Sequence, residues 1–233
     1  MKNTILIAYD TVYPFHKGGG EYRIYQIAYN LVIKGWKVIW LCSKCWEGNS
    51  DEYILNGIYL KAVCSKNSSL KKSNRSRRSL FNTIPFVLGL FKTKIPVNTK
   101  IIFIGQTPWI HFFSLFLRAK IKKVPIIVDC WEIWGKFWFQ YYPILIAFFG
   151  YLTEITVVNL ADYLTPISHT AISKLLKLGI SKNKILYAPN AVDINLINRI
   201  IPSKNQLSDL VYCGRLEKHK NLHILISSIS YLK

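Results

Sequence analysis

Acidic residues are scarce in this chain of 233 residues. Only 12 Asp or Glu accompany 31 Lys or Arg, so the formal net charge is +19. No carboxylate at all occurs between Glu52 and Asp129. So basic a chain is poorly suited to a cationic partner and indicates an anionic one: a nucleic acid, a phosphorylated metabolite or an acidic membrane surface.

Glycine and proline are also limited, at 12 and 9 residues, which excludes collagen-like and proline-rich low-complexity sequence. Hydrophobic residues make up 51% of the chain, so it is not disordered. Long hydrophobic runs are missing. The longest candidate, residues 137–153, has 17 uncharged residues but includes Gln140 and Pro143, whereas a membrane-spanning helix needs about 20 apolar residues. It is open to three interpretations: a membrane span, an interfacial helix or a buried helix.

Cysteines are few and odd in number, at five. The apolar run after Lys2 ends at Asp10 and is too short for a secretory signal, so we expect a cytoplasmic protein with reduced thiols. Cys42 and Cys45 have metal or redox spacing, but no second close pair follows. We therefore predict no metal site and no cofactor.

The densest positive charge lies at residues 66–78, where apolar side chains are nearly absent. Three interpretations stay open for this basic segment. It is a solvated surface loop, an electrostatic contact with an anionic membrane, or a nucleic-acid contact. Nucleic acid is disfavoured because no aromatic residues are interleaved for base stacking.

Short apolar runs alternate with stretches of helical periodicity along the chain. Strands are predicted at residues 4–9, 37–42, 58–63, 100–105, 125–129, 163–166, 184–188 and 210–213. Helices are predicted at residues 21–33, 109–120, 143–160, 168–178 and 222–232, with Ser168 as an N-cap. This order indicates an α/β fold with a Rossmann-like parallel sheet flanked by helices. We predict one complete domain at residues 1–202 and the first strand–helix unit of a truncated second Rossmann-like domain at residues 203–233.

Three segments carry chemistry. Gly18, Gly19, Gly20 and Glu21 stand between the first strand and a helix, where backbone N–H groups can face an anion. The dinucleotide fingerprint G-x-G-x-x-G is absent, and a flexible turn is the alternative. The segment 214–221 also lies between a predicted strand and helix, so its cations are suited to a diphosphate. The alternative is a basic loop that binds no ligand.

The third segment, residues 128–135, follows a strand at the edge where ligands bind in open α/β sheets. It places Asp129 and Glu132 beside Trp131 and Trp134. A tryptophan face can stack on the C–H groups of a sugar, so the segment suits sugar binding. The alternative is a pair of core tryptophans with a capping Glu.

The chain resembles the family 4 retaining glycosyltransferases, which have GT-B architecture with two facing Rossmann-like domains. The resemblance rests on Pro14 with Gly18 to Glu21, on residues 161–168, on residues 189–193, and on residues 214–216 with Lys220. It implies a nucleotide-diphosphate sugar donor and a transfer with retention that requires no metal.

By position, the resemblance places the glycines near the donor phosphates or the acceptor. It implies that Arg215 and Lys220 bind the diphosphate and that Glu132 occupies the position of the catalytic acid. Trp131 and Asn190 complete the set of expected substrate contacts. Trp131 stands where many members have histidine, and Ala191 replaces a usual glycine.

The predicted function is sugar transfer to a lipid-linked or surface glycan acceptor. We expect the protein in the cytoplasm, peripheral on the inner face of the cell membrane. About thirty residues of a second domain are present, so we expect the chain alone to be inactive or incomplete. The alternative is a non-catalytic fragment or a split-enzyme subunit that binds an acceptor or a partner chain supplying the missing domain.

Overall fold

A mostly parallel sheet of seven strands organises the protein. The computed structural model describes residues 3–65, 83–106, 109–201, 210–214, 216 and 220–232. The strands are β1 (Thr4–Ala8), β2 (Lys37–Ser43), β3 (Glu52–Leu55), β4 (Ile58–Cys64), β5 (Thr99–Ile104), β6 (Ile126–Cys130) and β7 (Tyr163–Pro166). The helices are α1 (Gly19–Ile33), α2 (Ile84–Lys92), α3 (His111–Ile121), α4 (Trp138–Tyr141), α5 (Ile144–Leu160), α6 (His169–Lys177), α7 (Ile194–Asn198) and α8 (Leu222–Ile229).

The strand order is β3-β4-β2-β1-β5-β6-β7, and every neighbouring pair is parallel except β3 with β4. This confirms the predicted α/β fold with a Rossmann-like sheet. The β3–β4 hairpin was not among the predicted elements. Its turn is Asn56-Gly57, both at positive φ, and this dipeptide is a strong sequence signal for such a turn.

Successive residues of β1 enter two separate cores. Leu6 and Ala8 point into the core shared with helices α2, α3, α5 and α6, whereas Ile5 and Ile7 point into the core under α1. All four side chains are buried. A strand that is covered on both faces has no solvent-facing side, so its apolar residues do not alternate with polar ones. This explains the continuous apolar run in the sequence.

Helix positions largely follow the sequence pattern. Ser168 caps α6 as predicted, because its hydroxyl accepts the Ala171 N–H at 3.1 Å. Helix α2 was not predicted. Within α2, a Cβ on Gly89 would lie 3.1 Å from the Cβ of Val63, so glycine lets this helix lie directly against β4.

Two predicted strands need correction. Residues 184–188 make one bridge, between Ile185 and Leu164, after a 3₁₀ turn at Lys182–Lys184. Residues 210–213 are not a strand. A strand needs a hydrogen-bonded neighbour, and the described part of residues 191–233 offers none to the exposed residues 210–213.

The chain divides into two compact units, residues 1–190 and residues 191–233. The first contains the sheet and helices α1 to α6, and the second contains α7 and α8. In the described ranges, no helix has the length and hydropathy required to cross a membrane.

Candidate functional site

The glycine loop leads directly into α1, which starts at Gly19 with Gly18 in an extended conformation before it. Glu21 lies in the first turn and is 6% exposed. Its carboxylate accepts the Thr11 hydroxyl at 2.9 Å and the Tyr9 hydroxyl at 3.5 Å. An acid is favourable near a helix N-terminus. Glu21 therefore connects the first turn of α1 to the residues that follow β1 and does not face solvent.

Trp131 covers the start of α1 from the end of β6. A Cβ placed on Gly20 would lie 2.6 Å from Cζ3 of the Trp131 ring, closer than any real side chain allows. The ring also packs edge-on against Tyr9, with 5.5 Å between centroids. The structure thus brings together the glycines and Trp131, two sets of residues that lie far apart in the sequence.

A buried ion pair lies beside this contact. Asp129, at the end of β6, is fully buried. Its carboxylate accepts hydrogen bonds from Arg23 Nε at 2.8 Å and from Arg23 Nη2 at 2.9 Å. The Asp129 carboxylate also accepts hydrogen bonds from Trp131 Nε1 at 2.6 Å and from the Thr165 hydroxyl at 2.8 Å. The planar fork of an arginine matches a carboxylate, so this bidentate pair fixes α1 relative to β6.

The same guanidinium reaches Asn190. Arg23 Nη1 donates to the Asn190 side-chain oxygen at 3.2 Å and to the Pro189 carbonyl at 3.1 Å, and Nη2 donates to the Ala188 carbonyl at 2.8 Å. Asn190 was predicted as a site residue, whereas Arg23 was not. The sequence signal that could have indicated Arg23 is its position three residues after Gly20, in the first turns of α1.

Gln106 holds the backbone next to Glu132. Its side-chain oxygen accepts the N–H groups of Trp131 and of Glu132, the latter at 2.8 Å, and its amide donates to the Glu132 carbonyl. The Glu132 side chain itself is exposed, and it accepts Trp134 Nε1 at 2.9 Å. A fixed backbone carrying an exposed carboxylate is suited to a hydrogen bond with a hydroxyl of a bound molecule.

Glu154 anchors the far end of the same loop. Its buried carboxylate accepts the N–H groups of Trp134 at 3.2 Å and Gly135 at 2.8 Å, together with Trp138 Nε1 at 3.1 Å. Burial raises the pKa of Glu154, while these hydrogen bonds and nearby Lys174 oppose the rise. Lys174 also donates to the Ile133 carbonyl at 2.7 Å. Residues 131–135 are therefore fixed at both ends.

Other predicted site residues lie elsewhere. Lys220 belongs to the second unit, and Arg215 and the basic segment 66–78 fall outside the described residues. Cys42 and Cys45 are buried thiols, and burial raises the pKa of Cys42, which disfavours the reactive thiolate. Across the described ranges, no cluster of His, Cys, Asp and Glu side chains could hold a metal ion.

Comparison with known proteins gives a likeness in structure alone. No family model matches the chain, and no curated protein matches it in sequence. Sucrose-phosphate synthase from Thermosynechococcus elongatus matches with a TM-score of 0.62 at 12% identity, over 84% of this chain and 50% of that chain. The fold is GT-B-like.

Two further structures match a similar share of this chain. Anabaena HepE, solved with UDP and glucose, has a TM-score of 0.51 at 16% identity, over 83% of this chain and 46% of that chain. S. aureus MnaA, solved with UDP, has a TM-score of 0.50 at 15% identity, over 80% of this chain and 43% of that chain. The chain thus spans about half the length of the structures it matches. At such identities the likeness establishes the fold.

Proposed function

We propose that this chain supplies the acceptor side of a retaining glycosyltransferase that moves a sugar from a nucleotide-diphosphate donor to a lipid-linked or surface glycan. The observation that carries the proposal is the contact between Gly20 and Trp131, beside the exposed carboxylate of Glu132. It lies beyond the carboxyl ends of β1 and β6, where open α/β sheets bind ligands. The GT-B-like fold supports the same assignment.

Each site residue has a separate role in this proposal. Glu132 touches the reacting sugars through its exposed carboxylate, and the ring of Trp131 stacks on a sugar face. The backbone of Gly18 to Gly20 lies against the donor phosphates or the acceptor, above buried Glu21, and Asn190 orders the adjoining segment through Arg23. We assign the diphosphate to Arg215 and Lys220.

The domain assignment, the donor and the location are part of the proposal as well. We propose that residues 1–202 form the acceptor-side domain, that residues 203–233 belong to the donor-side domain, and that a partner chain can contribute to donor binding. The HepE and MnaA structures hold UDP, which supports a nucleotide-linked donor. The proposed location is the cytoplasmic face of the cell membrane, where lipid-linked acceptors are exposed.

A deletion and complementation experiment tests this function and does not require the acceptor to be identified first. Removing the gene should leave one lipid-linked or surface glycan truncated at the sugar that the protein adds, measured by mass spectrometry. The wild-type gene should restore the full glycan, whereas Glu132→Gln should not. Glu52→Gln is the matched control, because Glu52 is an exposed acid whose carboxylate lies 3.6 Å from the Lys61 ammonium, in a surface ion pair.

Two results would refute the proposal. An unchanged glycan profile after deletion would remove the transferase assignment. Full restoration by Glu132→Gln, at wild-type protein levels, would remove the role given to that carboxylate. A deletion phenotype that Glu52→Gln also fails to rescue would point to folding rather than to the site.

A further inference from the structure

Helix α5 presents a continuous apolar face to solvent. Its outward residues recur at helical spacing, and Ile144, Leu145 and Phe149 are 74%, 72% and 64% exposed. Phe148 and Leu152 extend the same face and are also exposed. The opposite side of the helix carries the buried Ala147, Val157 and Val158. Contiguous exposed apolar surface of this kind marks an interaction site.

The neighbouring short helix α4 extends this surface with aromatic rings. Trp138 locks α4 in place, because a Cβ on Gly150 of α5 would lie 2.6 Å from its ring. Phe137, Phe139 and Tyr141 around it are each more than 40% exposed. We call Phe137, Phe139, Tyr141 and the five outward residues of α5 the α4–α5 face. Aromatic rings beside an aliphatic helix face are typical of segments that lie at a membrane interface.

The α4–α5 face is itself uncharged and has lysines at its border, while the exposed acid Glu132 approaches one edge through Trp134, which packs against Tyr141. No charged residue occurs at residues 137–153. The next acid, Glu154, is fully buried and turned inward onto Trp134, Gly135 and Trp138, so it presents no charge outward. On the other side, exposed Lys136 precedes the face, and the Lys174 ammonium lies 5.0 Å from the Phe137 ring. Positive charge borders an apolar surface, which matches an anionic lipid headgroup layer above acyl chains.

We propose that the α4–α5 face is a membrane-docking surface that lies in the plane of an anionic bilayer and inserts shallowly. Helix α5 has 17 residues, and its buried half belongs to the protein core, so only the outward face is available to lipid. The proposal deepens the membrane location under the proposed function by naming the surface. Vesicle binding involves no sugar chemistry, so it fails or succeeds independently of sugar transfer.

The test uses the full chain and sedimentation with sucrose-loaded vesicles. Vesicles contain phosphatidylcholine with phosphatidylglycerol, or phosphatidylcholine alone. We expect binding to the anionic vesicles and weaker binding to the neutral ones. Phe148→Ser with Phe149→Ser should lower the anionic binding constant by about tenfold or more, because two apolar side chains no longer enter the bilayer.

A matched control alters apolar surface elsewhere. Ile33→Ser with Ile54→Ser changes two side chains that are 64% and 60% exposed, on α1 and β3. This variant should bind vesicles like the wild type. Both double variants replace exposed residues and should keep the wild-type circular dichroism spectrum, so a difference in binding reports the surface and not the fold.

Depth is measured through tryptophan fluorescence, since Trp134 and Trp138 adjoin the α4–α5 face. Lipids brominated near the headgroup should quench more strongly than lipids brominated near the chain ends. Wild-type protein that binds neither vesicle type would overturn the proposal. Equal vesicle binding by the wild type and the Phe148/Phe149 variant would also overturn it. A third refuting result is a wild-type protein that binds no vesicles and forms a dimer, which the Phe148/Phe149 variant converts to a monomer.

Discussion

Loss of the Arg23 guanidinium should strongly destabilise the first unit, because it leaves the buried Asp129 carboxylate without its cation. The Arg23 and Asp129 side chains are 9% and 0% exposed, so water cannot replace the lost partner. In Arg23→Met, two neutral donors, from Trp131 and Thr165, remain on a buried carboxylate. Leaving one buried charge uncompensated costs about 3–5 kcal/mol of the free energy of unfolding.

Urea unfolding followed by circular dichroism measures this loss. Lys120→Met is the matched control, because the Lys120–Asp162 pair has a similar 2.6 Å contact but exposed side chains of 42% and 30%. An exposed pair contributes about 1 kcal/mol or less. The double variant Arg23→Met with Asp129→Leu removes both charges and should be more stable than Arg23→Met alone. A loss in Arg23→Met no larger than in Lys120→Met would refute the reasoning.

Two further predictions concern the loop and the core. Gly20→Ala should lower the free energy of unfolding by about 1–3 kcal/mol, because its Cβ meets the Trp131 ring. Gly19→Ala, whose Cβ meets nothing within 4 Å, should not be destabilising; equal losses in urea unfolding would contradict the packing argument. His111 is fully buried, and burial lowers its pKa from 6.5 to about 3, so the unfolded chain binds the extra proton between these values. Stability should therefore fall by about 1.4 kcal/mol per pH unit as the pH drops below 6.5, and His111→Gln should lack this part of the slope in unfolding curves measured at several pH values.

The sequence pattern predicts the parts of the site that are local to one segment. The glycine loop before α1, the strand predicted at residues 125–129 and found at Ile126–Cys130, and the Ser168 cap all follow from neighbouring residues. Arg23 and Gln106 were not predicted as site residues, because their partners are distant in the sequence. Asp129 lies 106 residues after Arg23, and Glu132 lies 26 residues after Gln106. No periodicity of a single segment encodes such a pairing.

The sequence by itself determined the α/β class, since apolar runs alternating with helical periodicity leave few other ways to bury both faces of a sheet. Only the tertiary structure decided which strands are neighbours and which side chains meet at their ends. Residues 210–213 have the composition of a strand but not its hydrogen bonds, because strand formation depends on a partner as well as on propensity. The placement of Trp131 on Gly20, and of Asp129 on Arg23, likewise depends on β1 and β6 ending at the same edge of one sheet.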